Sequence, residues 1–204
     1  MQPTVFIVDD EEPIRDALSL LMRSVGLPTR VFPHPAAFLD DYQADWTGCL
    51  LLDVRMPHIS GLELQDTLNE RGCTLPVIFI TGHGDVPMAV EAMRAGAVDF
   101  LQKPFNDEEL IRRVQKALRE DERQREVLAH TAEIRRRLEE LTPRELELAR
   151  RIVAGQANKV IAAELELSAR TVELHRARIM QKMGARSLAQ LVRMMLTVNP
   201  PANT

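Results

Sequence analysis

Residues 49–53 read Cys-Leu-Leu-Leu-Asp, an apolar run that ends in a single carboxylate. A short run that is apolar at every position is typical of a strand buried on both faces of a parallel sheet. Four other short runs, mostly of apolar or β-branched residues, lie at Thr4–Val8, Thr29–Phe32, 77–80 and 98–101. Amphipathic helical patterns alternate with the runs, at 13–25, 35–42, 62–71 and 86–95, and a long one begins at residue 107. The alternation predicts a doubly wound parallel α/β domain with five strands.

The overall composition is typical of two folded domains. The chain has 204 residues, of which 45% are hydrophobic and 27% charged. No apolar run approaches the roughly 20 residues that a membrane-spanning helix needs, and the first residues lack the basic start of a signal peptide. Cys49 and Cys73 are too few for a disulfide framework and have no zinc-ligand spacing. We therefore expect a cytoplasmic protein without membrane contact, disulfides or structural metal.

The net charge of −4 is unevenly distributed along the chain. Residues 1–120 carry 11 basic and 19 acidic side chains (net −8), residues 121–140 carry 5 and 6 (−1), and residues 141–204 carry 10 and 5 (+5). These segments are the predicted domain organisation: an α/β domain, a helical linker and a smaller second domain. The basic last segment suggests a polyanion as its partner.

The predicted linker belongs to a helical pattern that runs from residue 107 to about 140 without Gly or Pro. Asn106 and Glu109 have the spacing of a capping box at its start. Its last part has a 4, 3, 4, 3 spacing of mostly apolar residues, namely Val127, Thr131, Ile134, Leu138 and Leu141. Two heptads are short for a coiled coil, so we favour a plain helical linker, with a short dimer seam as the alternative.

Residues 141–204 predict a small all-α domain of four helices. Capping residues mark the helix boundaries: Thr142 with Pro143 and Glu145, then Gly155, Ser168, Gly184 and Ser187. The second helix is predicted at 158–165, and the third ends at Met183. The fourth is apolar at Leu188, Leu191, Val192, Met195 and Leu196.

Polar side chains follow four of the five predicted strands. They are Asp9 and Asp10 after the first strand, Asp53 after the third, Thr81 after the fourth and Lys103 after the fifth. Taken singly, each has an ordinary explanation as a helix cap, a turn residue or a surface group. Because the carboxyl ends of parallel strands meet at one edge of the sheet, we expect the five to converge. Carboxylates suit Mg²⁺, and a lysine and a hydroxyl can bind phosphate oxygens, so the set predicts phosphoryl transfer to a carboxylate.

Residues 1 to about 120 resemble the receiver domain of bacterial response regulators. The matching pattern is Asp9-Asp10, Asp53-x-x-Met56-Pro57-x-x-x-Gly61, Thr81-Gly82 and Lys103-Pro104. The resemblance implies a flavodoxin-like sheet of strand order 2-1-3-4-5 and a cis Lys103–Pro104 peptide. It implies that Asp53 is the phosphoacceptor and that Thr81 and Lys103 bind the phosphoryl oxygens. The implied Mg²⁺ ligands are Asp9, Asp10, Asp53 and the backbone carbonyl of Arg55.

Phe100 occupies the position of the aromatic switch residue in receiver domains. The resemblance implies that Thr81 moves towards the phosphoryl group and that the Phe100 ring fills the space it leaves. An ordinary buried strand residue is the alternative interpretation of Phe100. The segment Thr-Gly-His-Gly-Asp at 81–85 is similar to the FixJ-like branch of the family.

The predicted third helix of the last domain has a basic face. From Ser168 to Arg186 it carries five basic residues and one acid, Glu173. We expect Val172, Ile179 and Met183 to face the core. The opposite face then carries Arg170, Glu173, Leu174, Ala177, Arg178 and Gln181. Such a face suits the major groove of duplex DNA, and a solvated basic surface is the alternative.

Residues 141–197 resemble the LuxR-type helix-turn-helix domain. The similarity lies in Leu141-Thr142-Pro143-Arg144-Glu145, Gly155, Asn158-Lys159-x-Ile161-Ala162, Leu165, Ser168, Thr171-Val172-x-x-His175-Arg176 and Lys182-Met183. It implies a helix-turn-helix at about 158–183, with DNA contacts by Lys159, Arg170, Thr171, Glu173, Leu174, Arg176, Ala177, Arg178 and Lys182. It also implies that two domains pair through Leu188, Leu191, Val192 and Met195. Taken alone, that apolar face favours an intradomain core.

The two resemblances together imply the NarL/FixJ class of transcriptional response regulators. In this interpretation a sensor histidine kinase phosphorylates Asp53 with Mg²⁺, and phosphorylation promotes homodimerisation and binding to promoter DNA. RNA polymerase is a further implied partner. We do not expect an enzyme beyond catalysis of the receiver's own phosphorylation and dephosphorylation. On the residues alone, two alternatives remain: a Mg²⁺-dependent phosphohydrolase with Asp53 as nucleophile, and a phosphotransfer or docking module whose basic half binds an acidic protein.

Overall fold

The computed structural model of the protein describes residues 2–82 and 86–198. Most of the predicted 81–85 motif and the end of the predicted 141–204 domain therefore lie outside the described residues. The chain divides into two compact units, Met1–Arg125 and Glu126–Thr204. The division falls inside the segment that we predict to be the linker.

The first unit is built on one parallel sheet. Its strands are β1 (Thr4–Val8), β2 (Thr29–Phe32), β3 (Gly48–Asp53), β4 (Val77–Thr81) and β5 (Asp99–Gln102). They lie in the order β2-β1-β3-β4-β5, which confirms the predicted doubly wound fold. The strand β3 is central and buried along its whole length. It ends beside β4, with Asp53 opposite Ile80, so Asp53 and Thr81 lie at the same edge of the sheet.

Five helices follow the strands of this unit. They are α1 (Glu12–Ser24), α2 (Pro35–Asp41), α3 (Gly61–Glu70), α4 (Val86–Arg94) and α5 (Asp107–Glu139). Their ends lie within one residue of the predicted ends. The side chain of Asn106 caps α5 by accepting a hydrogen bond from the amide of Glu108, at 2.7 Å. The Glu109 carboxylate, which we predict to complete a capping box, instead accepts hydrogen bonds from Arg113.

Hydrophobic cores cover both faces of the sheet. Alternate residues of β1 and β3 point to opposite sides: Phe6, Val8, Leu50 and Leu52 to one core, and Val5, Ile7, Cys49 and Leu51 to the other. This is why β3 is apolar at successive positions rather than at every second one. Burial raises the pKa of the Cys49 thiol.

The second unit is helical, as predicted. It contains α6 (Pro143–Val153), α7 (Asn158–Glu164), α8 (Ala169–Met183) and α9 (Leu188–Val198). Thr142 and Glu145 form a complete capping box at the start of α6. The Ser168 hydroxyl accepts from the amide of Thr171 at the start of α8, and Gly184 ends that helix with a φ of 63°. No helix in the described part of the chain is long and apolar enough to span a membrane.

The end of α5 contributes to the core of the second unit. Ile134 and Leu141 are buried in this core, and Leu138 packs against it. Val127, by contrast, is exposed. Three of the five residues spaced as a heptad seam therefore pack in the core of the second unit and are not available to a second copy of the chain. This favours the linker interpretation over the dimer seam.

Candidate functional site

The carboxyl edge of the sheet brings two of the predicted carboxylates and the predicted lysine together. The Nζ atom of Lys103 lies 2.9 Å from an oxygen of Asp9 and 3.3 Å from an oxygen of Asp53. Asp9 and Asp53 are buried, and Asp10 is exposed. One ammonium group is therefore shared by two buried carboxylates that come from different strand ends.

Backbone amides hold the second oxygen of each carboxylate. Asp9 accepts a hydrogen bond from the amide of Glu11 at 2.9 Å, and Asp53 accepts one from the amide of Arg55 at 2.7 Å. The guanidinium of Arg15 donates to the backbone carbonyl of Asp9 at 2.7 Å. Both carboxylates are thus oriented by the loops that follow their strands, and neither depends on Lys103 alone for its position.

Burial and charge act in opposite directions on these groups. Burial raises the pKa of the Asp53 carboxyl, and the nearby Asp9 adds to this, against the opposing effects of Lys103 and the Arg55 amide. Burial disfavours the charge of Lys103, but the hydrogen bonds and charges of Asp9 and Asp53 outweigh it and raise the pKa of the ammonium. Charging the Asp53 carboxylate is therefore costly, and a cation offsets that cost.

The donors are of the kind that a hard cation prefers. Within residues 2–82 and 86–198, no three His, Cys, Asp or Glu side chains form a ready-made metal cluster. Asp9 and Asp53 each offer a carboxylate oxygen to the shared cation Lys103, and Asp10 follows Asp9 directly. Oxygen donors of this number and charge fit Mg²⁺, which keeps several waters in protein sites. The structure has Lys103 in contact with the two buried carboxylates.

The loop after Asp53 packs closely on the site. A Cβ atom at Gly61 would lie 2.2 Å from the backbone carbonyl oxygen of Asp53, so only glycine fits there. The amide of Gly61 donates to the carbonyl of Val54 at 2.9 Å. The start of α3 is thereby held against the strand end that carries the candidate phosphoacceptor.

The two predicted switch residues lie on neighbouring strands. Thr81 is buried at the end of β4, and its carbonyl accepts from the amide of Lys103 at 2.8 Å. Phe100 pairs with Phe79 in the sheet and packs, half-buried, against the core. The peptide between Lys103 and Pro104 is cis, as predicted.

The helix α8 has the predicted two-sided character. Val172, Ile179 and Met183 are buried in the core of the second unit. The residues predicted for the opposite face are all exposed: Arg170, Glu173, Leu174, Ala177, Arg178 and Gln181. Leu174 is 55% exposed, an unusual position for a large apolar side chain on a polar face. Lys159, near the start of α7, is exposed as well.

Three of the predicted DNA-contacting residues have partners inside the protein. The Nζ atom of Lys182 lies 2.6 Å from a carboxylate oxygen of Glu145 and 3.1 Å from the carbonyl of Glu140. Arg176 donates to the side chain of Asn158 at 3.4 Å, and the hydroxyl of Thr171 shares a hydrogen bond with that of Ser168.

Glu145 has a second function that the sequence pattern did not reveal. As predicted, it closes the capping box of α6, and it also binds Lys182 in α8. The hydrogen bond from Lys182, together with those from Thr142, lowers the pKa of Glu145 to about 2. The capping motif is visible in the sequence, whereas a partner 37 positions away has no local signal.

The predicted pairing residues of α9 separate into two groups. Leu191 and Met195 are buried in the core of their own unit. Leu188 is 40% exposed, and Val192 is half-buried. Leu191 and Met195 are already packed inside their own unit, so of the four predicted pairing residues only Leu188 and Val192, one helical turn apart, have exposed surface.

Comparison with known families agrees with both units. Residues 5–115 match the response regulator receiver domain. Residues 139–195 match the luxR family of bacterial regulatory proteins. A receiver joined to a LuxR-type DNA-binding domain defines the transcriptional response regulators of two-component systems, which are not classical enzymes.

Relatives are similar along almost the whole chain. The response regulator protein TodT of Pseudomonas putida is 44% identical, over 93% of this chain and 83% of that protein. The transcriptional regulatory protein FixJ of Rhizobium meliloti is 46% identical over 95% of each chain. Among solved structures, the response regulator StyR has a TM-score of 0.88 at 40% identity and covers 96% of this chain and 98% of its own. Full-length FixJ from B. japonicum has a TM-score of 0.61 at 40% identity, over 98% of each chain. The chain belongs to the NarL/FixJ class of response regulators.

Proposed function

We propose that this response regulator is switched by phosphorylation of Asp53 and that the phosphorylated form binds promoter DNA as a dimer. The observation that carries the proposal is the contact of one lysine with two buried carboxylates at the carboxyl edge of the sheet. Lys103 already contacts the Asp53 carboxylate, and a phosphoryl group on Asp53 would give Lys103 a more highly charged partner at the same place. The phosphodonor is a sensor histidine kinase, and the proposed compartment is the cytoplasm.

The residues of the pocket have distinct proposed roles. A carboxylate oxygen of Asp53 forms the new bond to phosphorus as the bond between phosphorus and its donor breaks. Mg²⁺ supplies charge neutralisation when bound, through Asp9, Asp10, Asp53 and the carbonyl of Arg55. Lys103 and the hydroxyl of Thr81 hold the phosphoryl oxygens, because each is a hydrogen-bond donor at the same sheet edge. As Thr81 moves towards the phosphoryl group, the ring of Phe100 fills the space that Thr81 leaves.

The proposed DNA-binding surface is the exposed face of α8, with Lys159. Arg170, Arg178 and Lys159 would bind phosphates or guanines, and Glu173, Leu174 and Ala177 would face base edges. Three further residues would have to leave their partners inside the protein before they could contact DNA, namely Arg176, Lys182 and Thr171. Two domains joined through α9 would occupy paired half-sites, and a bivalent contact raises the effective affinity. RNA polymerase is the proposed further partner at the promoter.

Labelling by a small phosphodonor tests the phosphorylation site. The wild-type chain is incubated with Mg²⁺ and radiolabelled acetyl phosphate, beside Asp53→Asn and the control Asp66→Asn, whose side chain is exposed on α3. We expect label on the wild type and on the Asp66 variant and none on the Asp53 variant. Stable label on Asp53→Asn at the wild-type level would contradict the assignment.

A salt titration tests the DNA-binding face. The wild type, Arg178→Ala and the exposed control Arg135→Ala are compared on the same duplex at increasing salt. Each phosphate that a cation neutralises contributes about 0.9 to the log–log slope, so Arg178→Ala should lower the slope by about 0.9 if Arg178 binds a phosphate. Loss of affinity with an unchanged slope would indicate a base contact instead. An affinity and slope equal to those of the wild type would exclude Arg178 from the interface.

A further inference from the structure

The middle of α5 is held by an ion pair between a buried carboxylate, Asp121, and a half-buried Arg125, at the end of β3 opposite to Asp53. The residues of α5 that face the sheet are Leu110, Val114, Ala117 and Asp121, at spacings of four, three and four. The first three are apolar and buried. The fourth continues the same buried stripe with a carboxylate that is 2% exposed. A charged residue thus takes the place where an apolar one would extend the core.

The carboxylate of Asp121 has two partners. It accepts a hydrogen bond from the amide of Gly48, the first residue of β3, at 2.9 Å. Both of its oxygens also accept from Nε of Arg125, at 3.0 and 2.9 Å. Arg125 donates as well to the backbone carbonyl of Trp46. We call Asp121 and Arg125, with their contacts to Trp46 and Gly48, the exit clasp.

The strand side of the exit clasp is itself firmly held. A Cβ atom at Gly48 would lie 1.8 Å from the carbonyl oxygen of Thr4, so β3 starts in close contact with β1. The amide of Thr4 donates to the carbonyl of Thr47 at 2.9 Å. The ring of Trp46 stacks on Phe6 with centroids 4.3 Å apart and planes 3° from parallel. The clasp therefore attaches α5 to a rigid part of the receiver.

An ion pair with one buried partner at this place specifies position more than it adds stability. Taking charges out of water is costly, and well-packed apolar residues often stabilise as well or better. Such pairs are best known for fixing the register of one element against another. A helix that slips by one residue turns by about 100° about its axis, so two specific hydrogen bonds fix the register and rotation with which α5 leaves the receiver. The next residues along α5, 126–130, are all exposed.

We propose that Asp121 and Arg125 are positioning residues that couple phosphorylation of the receiver to DNA binding. The inference rests on the proposed function. In a phosphorylated dimer, the clasp gives both linker helices a defined exit, so that the two DNA-binding domains are presented together. Without it, the last turn of the helix in the receiver loses its attachment, and the bivalent gain in affinity is lost while phosphorylation and receiver dimerisation remain.

The test uses the full chain with beryllofluoride and Mg²⁺, which mimic the phosphorylated state. The DNA is a duplex that the activated wild type enriches from a random library. Arg125→Ala breaks the clasp, and Arg123→Ala on the same helix is the matched control, because Arg123 is exposed. Arg125→Lys keeps a cation for Asp121 and serves as the rescue variant. Affinity with and without beryllofluoride, sedimentation velocity and Trp46 emission are measured for each.

We expect the beryllofluoride stimulation of DNA affinity to fall about a hundredfold in Arg125→Ala, the low end of what bivalency contributes. Arg123→Ala should match the wild type, and Arg125→Lys should recover part of the stimulation. Arg125→Ala should still dimerise with beryllofluoride, and its Trp46 emission should shift. The protein has a single tryptophan, so this signal reports the clasp directly.

Three results would overturn the coupling role. They are full stimulation in Arg125→Ala, a Trp46 emission that does not change, or loss of dimerisation in that variant, which would make the clasp a mere support of the receiver fold. If the wild type itself shows no stimulation by beryllofluoride, the proposed function fails, and the coupling proposal fails with it. The two failures are distinguished by the behaviour of the wild type.

Discussion

Replacing Lys103 with alanine should make the stability of the receiver depend on Mg²⁺. The substitution removes an ammonium whose side chain is 18% exposed and which contacts Asp9 and Asp53 at 2.9 and 3.3 Å. Removing one partner of a buried ion pair costs about 3–5 kcal/mol, because the remaining charge stays buried without compensation. The remaining solvent access favours the lower figure, about 3 kcal/mol. At roughly 4 °C per kcal/mol for a domain of this size, the midpoint should fall by about 12 °C.

Mg²⁺ should restore most of this loss. A ligand at one hundred times its dissociation constant stabilises the folded state by about 2.7 kcal/mol. Lys103 competes for the same carboxylate oxygens, so the variant should bind Mg²⁺ more tightly than the wild type and gain more from it. The pH dependence has a defined sign. Since the folded state raises the pKa of Asp53, its contribution is fully favourable below the ordinary carboxyl pKa of 3.8 and is lost as the pH rises through the folded value.

Thermal unfolding followed by Trp46 emission measures these effects in the receiver, because Trp46 is buried there. Lys116→Ala is the control, an exposed lysine on α5. Sodium chloride at matched ionic strength separates specific binding from screening. The reasoning is refuted if Lys103→Ala loses less than about 1 kcal/mol without Mg²⁺, the range of a surface pair. It is also refuted if Mg²⁺ raises both midpoints equally.

Two further substitutions test the structure away from this pocket. Glu145→Gln should destabilise the second unit by about 1–2 kcal/mol at pH 7. The control Glu147→Gln, which removes the partner of surface ion pairs on the same helix, should destabilise it much less. Hydrogen exchange of the α6 amides measures this, and the difference should fade between pH 4.5 and about 2, where Glu145 protonates. Equal effects of the two variants would contradict the buried pairing with Lys182. Gly48→Ala should cost more than about 4 kcal/mol, because its Cβ meets a backbone oxygen. Gly72→Ala also has a positive φ but nothing within 4 Å, so it should cost about 1 kcal/mol in urea unfolding, and equal losses would refute the steric argument.

The fold could be predicted because its signals are local. Continuous apolar runs such as 49–52 identify strands buried on both faces, and capping residues such as Ser168 and Gly184 identify helix ends. The convergence of Asp9, Asp53 and Lys103 followed from parallel topology, since strand ends meet at one edge. The exposure of Asp10 did not follow from that rule, because strand topology places the chain at the sheet edge but does not set how deeply each of two successive side chains is buried.

What the sequence left open depends on contacts between distant segments. An apolar face such as that of α9 looks the same whether it packs inside its own domain or against a second copy, and the structure shows that Leu191 and Met195 do the former. A basic residue on a predicted recognition helix gives no sign of an internal partner, as Lys182 shows with Glu145. The pairing of Asp121 with the amide of Gly48 joins residues 73 positions apart, and no periodicity reports it.

Because Cys49 is buried, the rate at which a thiol reagent labels it reports the opening of the receiver. Its thiol lies in the central strand with no solvent exposure, and burial keeps it protonated, so the reactive thiolate forms only when that strand opens. Cys73 is partly accessible and should react with a thiol reagent at once. The rate of the slow phase would then measure how often the central strand opens. A lower rate with the phosphoryl mimic or with Mg²⁺ would show how much each stabilises the closed domain.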